Sequence, residues 1–276
     1  MSQTLAGALA GLVLGATGWM KPYRRAMTRA LVSERLAQTV TVATVGGPIH
    51  FLTPSGRALH DPWTLYRSEP ETIRWLDALA PDEVLWDIGA NIGVYALYAA
   101  KARGLRVLAF EPSAASFTVL MRNIELNGLG GRIDAYCLAF DAATRLDYLH
   151  MAATEAGHSM HSFGTDETSR GMIEAKFRQS VPGFTVDGFC ELFRPPPPGH
   201  IKLDVDGNEA AVLQGAAKTL ATAVKTALVE IDSEEIGRDI RLALAPLGFV
   251  EDAAFAVQGA RRNVLFRREP GAAPQS

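Results

Sequence analysis

Cysteine is nearly absent from this 276-residue chain: Cys137 and Cys190 are too few for a disulfide scaffold or a thiolate zinc site. Cationic surplus is absent too. The 27 Lys and Arg against 30 Asp and Glu leave a net charge of −3, which excludes a general electrostatic grip on nucleic acid. A membrane-spanning run is also lacking. Leu5 to Met20 is uncharged, but a helix of that length spans ~24 Å against a hydrocarbon core of ~30 Å. No lysine or arginine precedes it, as a secretory signal requires, and Gly7, Gly11, Gly15 and Gly18 weaken it as an isolated helix. Lys21, Arg24 and Arg25 come directly after it. The segment reads as a helix packed on its own domain, with residues 5–20 as a candidate for peripheral membrane contact. These exclusions leave a cytoplasmic, enzyme-sized protein whose 48% apolar content can bury a full core.

What is present is punctuated as an α/β chain. Val40 to Thr53 reads as a hairpin turning at Gly46-Gly47-Pro48, and Glu71 to Ala80 has apolar residues at helical spacing. Near-continuous apolar runs of strand length occur at Val84 to Ile88, Arg106 to Phe110, Ile133 to Leu138, His200 to Val205 and Thr226 to Ile231. Helical stretches at Val94 to Lys101, Ser113 to Asn127 and Asn208 to Thr222 separate them. This alternation predicts a doubly wound, mostly parallel sheet with helices on both faces. Residues 142–199 break the rhythm as an insertion before the fourth strand. Its centre, Thr154 to Ser169, is polar and aperiodic, which predicts a mobile recognition lid. The last residues, 270–276, read as a disordered tail.

The first chemical string is Asp87-Ile88-Gly89-Ala90-Asn91-Ile92-Gly93, a strand, a glycine turn and a helix start. Its G-x-x-x-G spacing departs from the G-x-G-x-x-G of dinucleotide folds, which favours a smaller nucleoside ligand without a pyrophosphate. Asp87 can meet a cationic group of such a ligand. Glu111 ends the next strand, where a carboxylate can accept both hydroxyls of a ribose. The second string runs from Ile201 to Glu209. Lys202, Asp204 and Asp206 alternate along a strand and share one face. They read equally as a structural ion pair or as carboxylates that act as a base or hold a divalent ion with Glu230; Glu209 reads as first-turn helix dressing.

Together these strings resemble the FkbM-type S-adenosylmethionine-dependent methyltransferases. The resemblance rests on Trp86 to Gly93, Phe110-Glu111-Pro112, Asn123, Asn127, Thr185-Val186-Asp187 and Ile201-Lys202-Leu203-Asp204-Val205-Asp206-Gly207. It covers roughly Ser68 to Arg267, with Asp206 standing for a commoner glutamate and Asn208 for an apolar or aromatic residue. It implies a Rossmann-like class I methyltransferase domain over 68–269, preceded by a helix and hairpin extension over 1–67. It also implies S-adenosylmethionine as cofactor and transfer of its methyl group to a hydroxyl of a sugar, glycolipid or natural product. Gly89, Asn91 and Gly93 would then line the methionine end, Glu111 would hold the ribose, and Asp141 would lie near the adenine amine. Asp204 becomes the first candidate for the base, beside Lys202, with His161 and His158 behind it; no metal ligand set is assigned. Two alternatives stand: a non-catalytic cofactor-binding scaffold, and an N-methyltransferase acting on protein or nucleic acid. The net charge and the lack of a [DN]-P-P-[YFW] string weigh against the latter.

Overall fold

A computed structural model describes residues 2–168, 171–255 and 262–269. The tail expected to be disordered, 270–276, lies outside them. The chain divides into two compact units, residues 1–39 and the described residues from Val40 onward. The first holds α1 (Ser2–Ala16) and α2 (Pro22–Leu36). Arg29 of α2 donates to Thr17 Oγ1 at 2.8 Å and to the Leu14 carbonyl at 3.0 Å, placing a cation on the unsatisfied C-terminal carbonyls of α1. Among the described residues no helix is long and apolar enough to cross a membrane.

From the boundary onward the chain runs β1 (Thr39–Val42), β2 (Ile49–Leu52), α3 (Gly56–Ser68), α4 (Pro70–Asp77), β3 (Val84–Ile88), α5 (Val94–Arg103), β4 (Arg106–Phe110), α6 (Ala114–Leu126) and β5 (Ile133–Tyr136). It continues with β6 (Ala139–Phe140), β7 (Arg145–Met151), β8 (His161–Phe163), β9 (Glu167–Thr168), β10 (Gly171–Met172), β11 (Phe177–Phe184) and α7 (Val186–Phe193). β12 (His200–Leu203), α8 (Glu209–Gln214), α9 (Ala217–Thr222), β13 (Thr226–Ile231), α10 (Glu234–Leu244), β14 (Phe249–Glu251) and β15 (Arg262–Arg268) complete it. The main sheet has the order β14-β15-β13-β12-β3-β4-β5. β13, β12, β3, β4 and β5 are mutually parallel, and β15 is antiparallel to both its neighbours. This is the expected Rossmann-like class I arrangement, with the order reversing between β3 and β12, where open α/β sheets leave a crevice.

Two cores cover the two faces. Leu85, Val107, Ala109 and Leu228 belong to one, Trp86, Leu108, Phe110, Ile201 and Val229 to the other. Strict alternation along continuous apolar runs produces this division, because each strand is buried on both sides.

Two expectations change. The single helix expected over Asn208 to Thr222 is two, because the Gly215 carbonyl accepts the Asp187 N–H at 3.0 Å instead of continuing the helical ladder. The insertion contributes strands on either side of its polar centre: β7, β8 and β11 join β6 in a second sheet of order β6-β11-β7-β8, over an apolar cluster of Ala139, Leu149, Met151, Phe163 and Val181.

The resemblance residues Asn123 and Asn127 are fasteners. Asn123 Oδ1 accepts the Leu52 N–H at 2.7 Å while its Nδ2 donates to the Ile92 carbonyl at 2.9 Å. Asn127 takes the N–H and carbonyl of His50 at 2.8 and 2.6 Å. The pair therefore ties β2 to α6 and to the loop after β3. Asn123→Ala is expected to lower stability by roughly 2–4 kcal/mol, because two backbone groups lose their partner in a fully buried place. A urea midpoint unchanged from wild type would contradict that role.

Candidate active site

Strand register gathers the polar groups. Asp87 lies opposite Ala109 on one side and Lys202 on the other, and Lys202 lies opposite Leu228. Two residues further along each strand, Glu111, Asp204 and Glu230 fall on that same face, and Glu230 lies opposite Asn263. One face of the sheet thus brings its acids to the C-terminal edge. They line a cavity of about 460 Å³ with Gly89, Asn91, His158 and His161.

The glycine turn is shaped by a close approach. Gly89 has φ +88°, and a Cβ there would stand 1.8 Å from the Asp204 carbonyl oxygen. Asn91 also has positive φ, +51°, and its N–H donates to Glu111 Oε2 at 2.8 Å while Ser113 N–H donates to Oε1 at 2.8 Å. Burial pushes the Glu111 carboxyl up to about 7 against the pull of these amides. Asp87 is 1% exposed, and neither of its oxygens has a hydrogen-bond partner of normal geometry among the described residues. Burial raises it to about 6, against Lys202.

Lys202 is 2% exposed and donates to Asp204 Oδ2 at 2.9 Å, with Glu69 Oε2 at 4.0 Å. Its ammonium also stands 4.9 Å from the centre of the Tyr95 ring. Burial pulls its pKa down, but Asp204, Glu69 and Asp87 outweigh that and hold it above the usual lysine value. The ion pair anticipated from alternation is therefore present, and it forms part of the cavity wall. Glu209 is more than helix dressing: Oε1 accepts the Val205 and Gly207 N–H groups at 3.1 and 3.2 Å, and burial raises its carboxyl to about 7.

Residues 156–163 are sewn across the cavity. Ser55 Oγ donates to the Ala156 carbonyl at 3.0 Å, and the Gly157 N–H donates to Ser116 Oγ at 3.1 Å. Arg57 donates to Ser159 Oγ at 3.0 Å, Met160 N–H to Asp206 Oδ2 at 2.6 Å, and Asn208 Nδ2 to the Phe163 carbonyl at 3.0 Å. His161 is 9% exposed and stacks on His158 with ring centres 5.7 Å apart. Burial lowers its pKa to about 4, keeping it neutral.

Of the residues singled out in the sequence, Asp87, Gly89, Asn91, Glu111, Lys202, Asp204 and His161 line the cavity. Two do not. Asp141 pairs its carboxylate with Arg145 and is not among the residues that line the cavity. Gly93 is small for packing, since a Cβ would meet Leu120 at 2.4 Å and Leu97 at 2.7 Å. Tyr95 and the Asn263–Glu71 pair, bonded at 3.1 Å, escaped sequence reasoning. Only the register of β15 against β13 could have found Asn263.

The family model "Methyltransferase FkbM domain" matches residues 87–251. Hexuronic acid methyltransferase AglP of Haloferax volcanii is 27% identical over 181 residues, 65% of this chain and 69% of that protein. The 31-O-demethyl-FK506 methyltransferase FkbM of Streptomyces tacrolimicus is 33% identical over 93 residues, 33% of this chain and 34% of that protein. The crystal structure of Methyltransferase FkbM from Methylobacillus flagellatus superposes with a TM-score of 0.43 and 14% identity, over 68% of this chain and 44% of that one.

Glu209 gives a pH test. A carboxyl raised in the folded state binds more protons folded than unfolded between its ordinary value and about 7, so its contribution falls as pH rises through that window. His161 and His200, lowered by burial, act in the opposite sense. The readout is therefore the difference between wild type and Glu209→Gln, a mimic of the protonated acid. Wild type should lose stability relative to the variant between pH 5 and pH 8, ~4.5 to ~7 being the titrating range. A constant difference would contradict the buried, proton-binding state.

Proposed function

The chain belongs to the FkbM methyltransferase family, whose members are S-adenosylmethionine-dependent, and on that premise we propose that it O-methylates an uncharged sugar hydroxyl. The observation that carries this reading is the presence, in one cavity, of the buried acid Asp87 before the glycine turn and the Lys202–Asp204 pair.

The residues present suit the cofactor. Gly89 lines the cavity, and its lack of a Cβ lets the loop after β3 pass against the Asp204 carbonyl; the Asp87 oxygens and Asn91 Oδ1 are buried acceptors without a hydrogen bond of normal geometry among the described residues. An ammonium group supplies donors for them. Glu111 is fixed by two backbone amides and keeps lone pairs for ribose hydroxyls. S-adenosylmethionine, when bound, supplies an electrophilic methyl group on sulfur.

An alcohol must lose its proton as it is methylated. Asp204, oriented by Lys202 at 2.9 Å, is the base in this reading. Tyr95 and Glu69 hold Lys202 in turn, as positioning residues. His161, neutral and stacked on His158, offers the acceptor a hydrogen-bonding ring. The cavity lining is acid-rich: Asp61, Glu69, Glu71, Asp87, Glu111, Asp204, Asp206 and Glu230 stand against the two cations Arg57 and Lys202. Such a field favours neutral hydroxyls over a carboxylate, so this chain should differ in acceptor from a hexuronic acid enzyme.

By calorimetry, Glu111→Ala should weaken S-adenosylmethionine binding by about 1.5–3 kcal/mol, the scale of hydrogen bonds to a charged group. Normal affinity in that variant would remove Glu111 from the cofactor site. Asp204→Asn should keep cofactor affinity and lower turnover by roughly 10²–10⁴, as measured by methyl incorporation into a panel of neutral and uronic glycans. Full turnover in Asp204→Asn would reduce the pair to structure, and incorporation confined to uronic acids would overturn the neutral-acceptor reading.

A further inference from the structure

Residues 1–39 form a compact unit in which no apolar side chain is buried among the described residues. No side chain of α2 is buried, and α1 is exposed at every position from Gln3 to Leu12. Leu5, Leu9 and Leu12 share one side of α1, at 62%, 54% and 69% exposure, yet Leu14 on the opposite side is 51% exposed. α1 contains no charged residue. A helix that is apolar all round needs an apolar medium on all sides, whereas a protein groove covers one stripe. At ~22 Å for fifteen residues it is too short to cross a bilayer.

The residues immediately after α1 suit an interface. Trp19 and Tyr23 are 82% and 74% exposed and flank Lys21, the amphipathic aromatics and cation that sit at headgroup level. Residues 1–39 hold five basic residues (Lys21, Arg24, Arg25, Arg29, Arg35) against the single acid Glu34, in a chain whose net charge is −3. Charge is therefore segregated onto the apolar unit, which complements an anionic lipid surface.

We propose that residues 1–39 are a membrane anchor: α1 enters one leaflet of an anionic bilayer, and Trp19, Lys21, Tyr23 and the arginines of α2 lie among the headgroups. α1 supplies burial and α2 supplies lipid selectivity. The anchoring is independent of the methyl acceptor and stands or falls separately from it.

The test is flotation of the full chain with phosphatidylcholine vesicles, with and without phosphatidylglycerol. The chain should float with the anionic vesicles and far less with neutral ones. Lys21→Gln and Arg24→Gln should each weaken partitioning by about fivefold, the value of one basic residue near an anionic surface. Leu9→Asp with Leu12→Asp should abolish flotation while keeping the thermal melt of wild type. In a Trp63→Phe background, lipids brominated on their acyl chains should quench Trp19 fluorescence, a signal that Trp19→Phe removes; this readout holds even where the leucine variants misfold. No flotation with anionic vesicles would overturn the proposal. So would lipid-free self-association that the leucine variants dissolve and vesicles do not displace, which would assign the surface to a second copy of this chain.

Discussion

Lys202 places a full positive charge at 2% exposure on the central strand of the sheet, and the cleft is organised around compensating it. Removing one partner from a buried ion pair costs ~3–5 kcal/mol, because the other charge is stranded in low dielectric. Asp204 at 2.9 Å, Glu69 at 4.0 Å and the face of Tyr95 share the task. The same cation makes the acids beside it tolerable. Asp87 is a buried carboxyl without hydrogen bonds of normal geometry, and Lys202 is the strongest influence opposing its burial in the balance that leaves it at about 6. The result is a wall where negative charge is held but not neutralised, the condition under which an incoming cationic ligand gains most.

Backbone geometry imposes the second constraint. The loops after β3 and β12 approach so closely that Gly89 meets the Asp204 carbonyl, and each loop carries a non-glycine residue with positive φ, Asn91 at +51° and Asp206 at +58°. Asn and Asp are the side chains that tolerate this region best. Both then spend their side chains on residues 156–163: Asn91 Nδ2 reaches the Gly157 carbonyl at 3.4 Å and Asp206 receives the Met160 N–H. Strained loops and covering segment are thus one structure. A change in either loop alters how the cavity is closed.

Much of this was legible because it depends on local pattern. Strand runs, glycine turn and the alternation of Lys202 with Asp204 are period-two and turn signals, and they led to the main sheet and to most of the cavity wall. What could not be read depends on long-range register. Asn263 lies opposite Glu230 and bonds Glu71 because β15 folds back against β13. The pairing of Asp141 with Arg145, four residues later, is by contrast a local contact that the strand pattern does not announce. The insertion looked aperiodic because its centre is polar; its order comes from Leu149, Met151 and Val181, which lie in β7 and β11 on either side of that centre.

The departures from the family pattern gain a physical reason in the same way. At residue 206, φ of +58° suits a short acid that can fold onto a neighbouring amide, and Asp206 does so at Met160. At residue 208, an apolar side chain could only pack, whereas Asn208 holds the Phe163 carbonyl at 3.0 Å. Both substitutions therefore act on the attachment of β8, the strand that begins with His161. In this chain the end of β12 contributes twice: through Asp204 to the floor of the cavity, and through Asp206 and Asn208 to the segment that covers it. On the proposed reading, acceptor choice depends on how β8 is held as well as on the side chains it presents, because Asp206 and Asn208 fix the segment that carries His161.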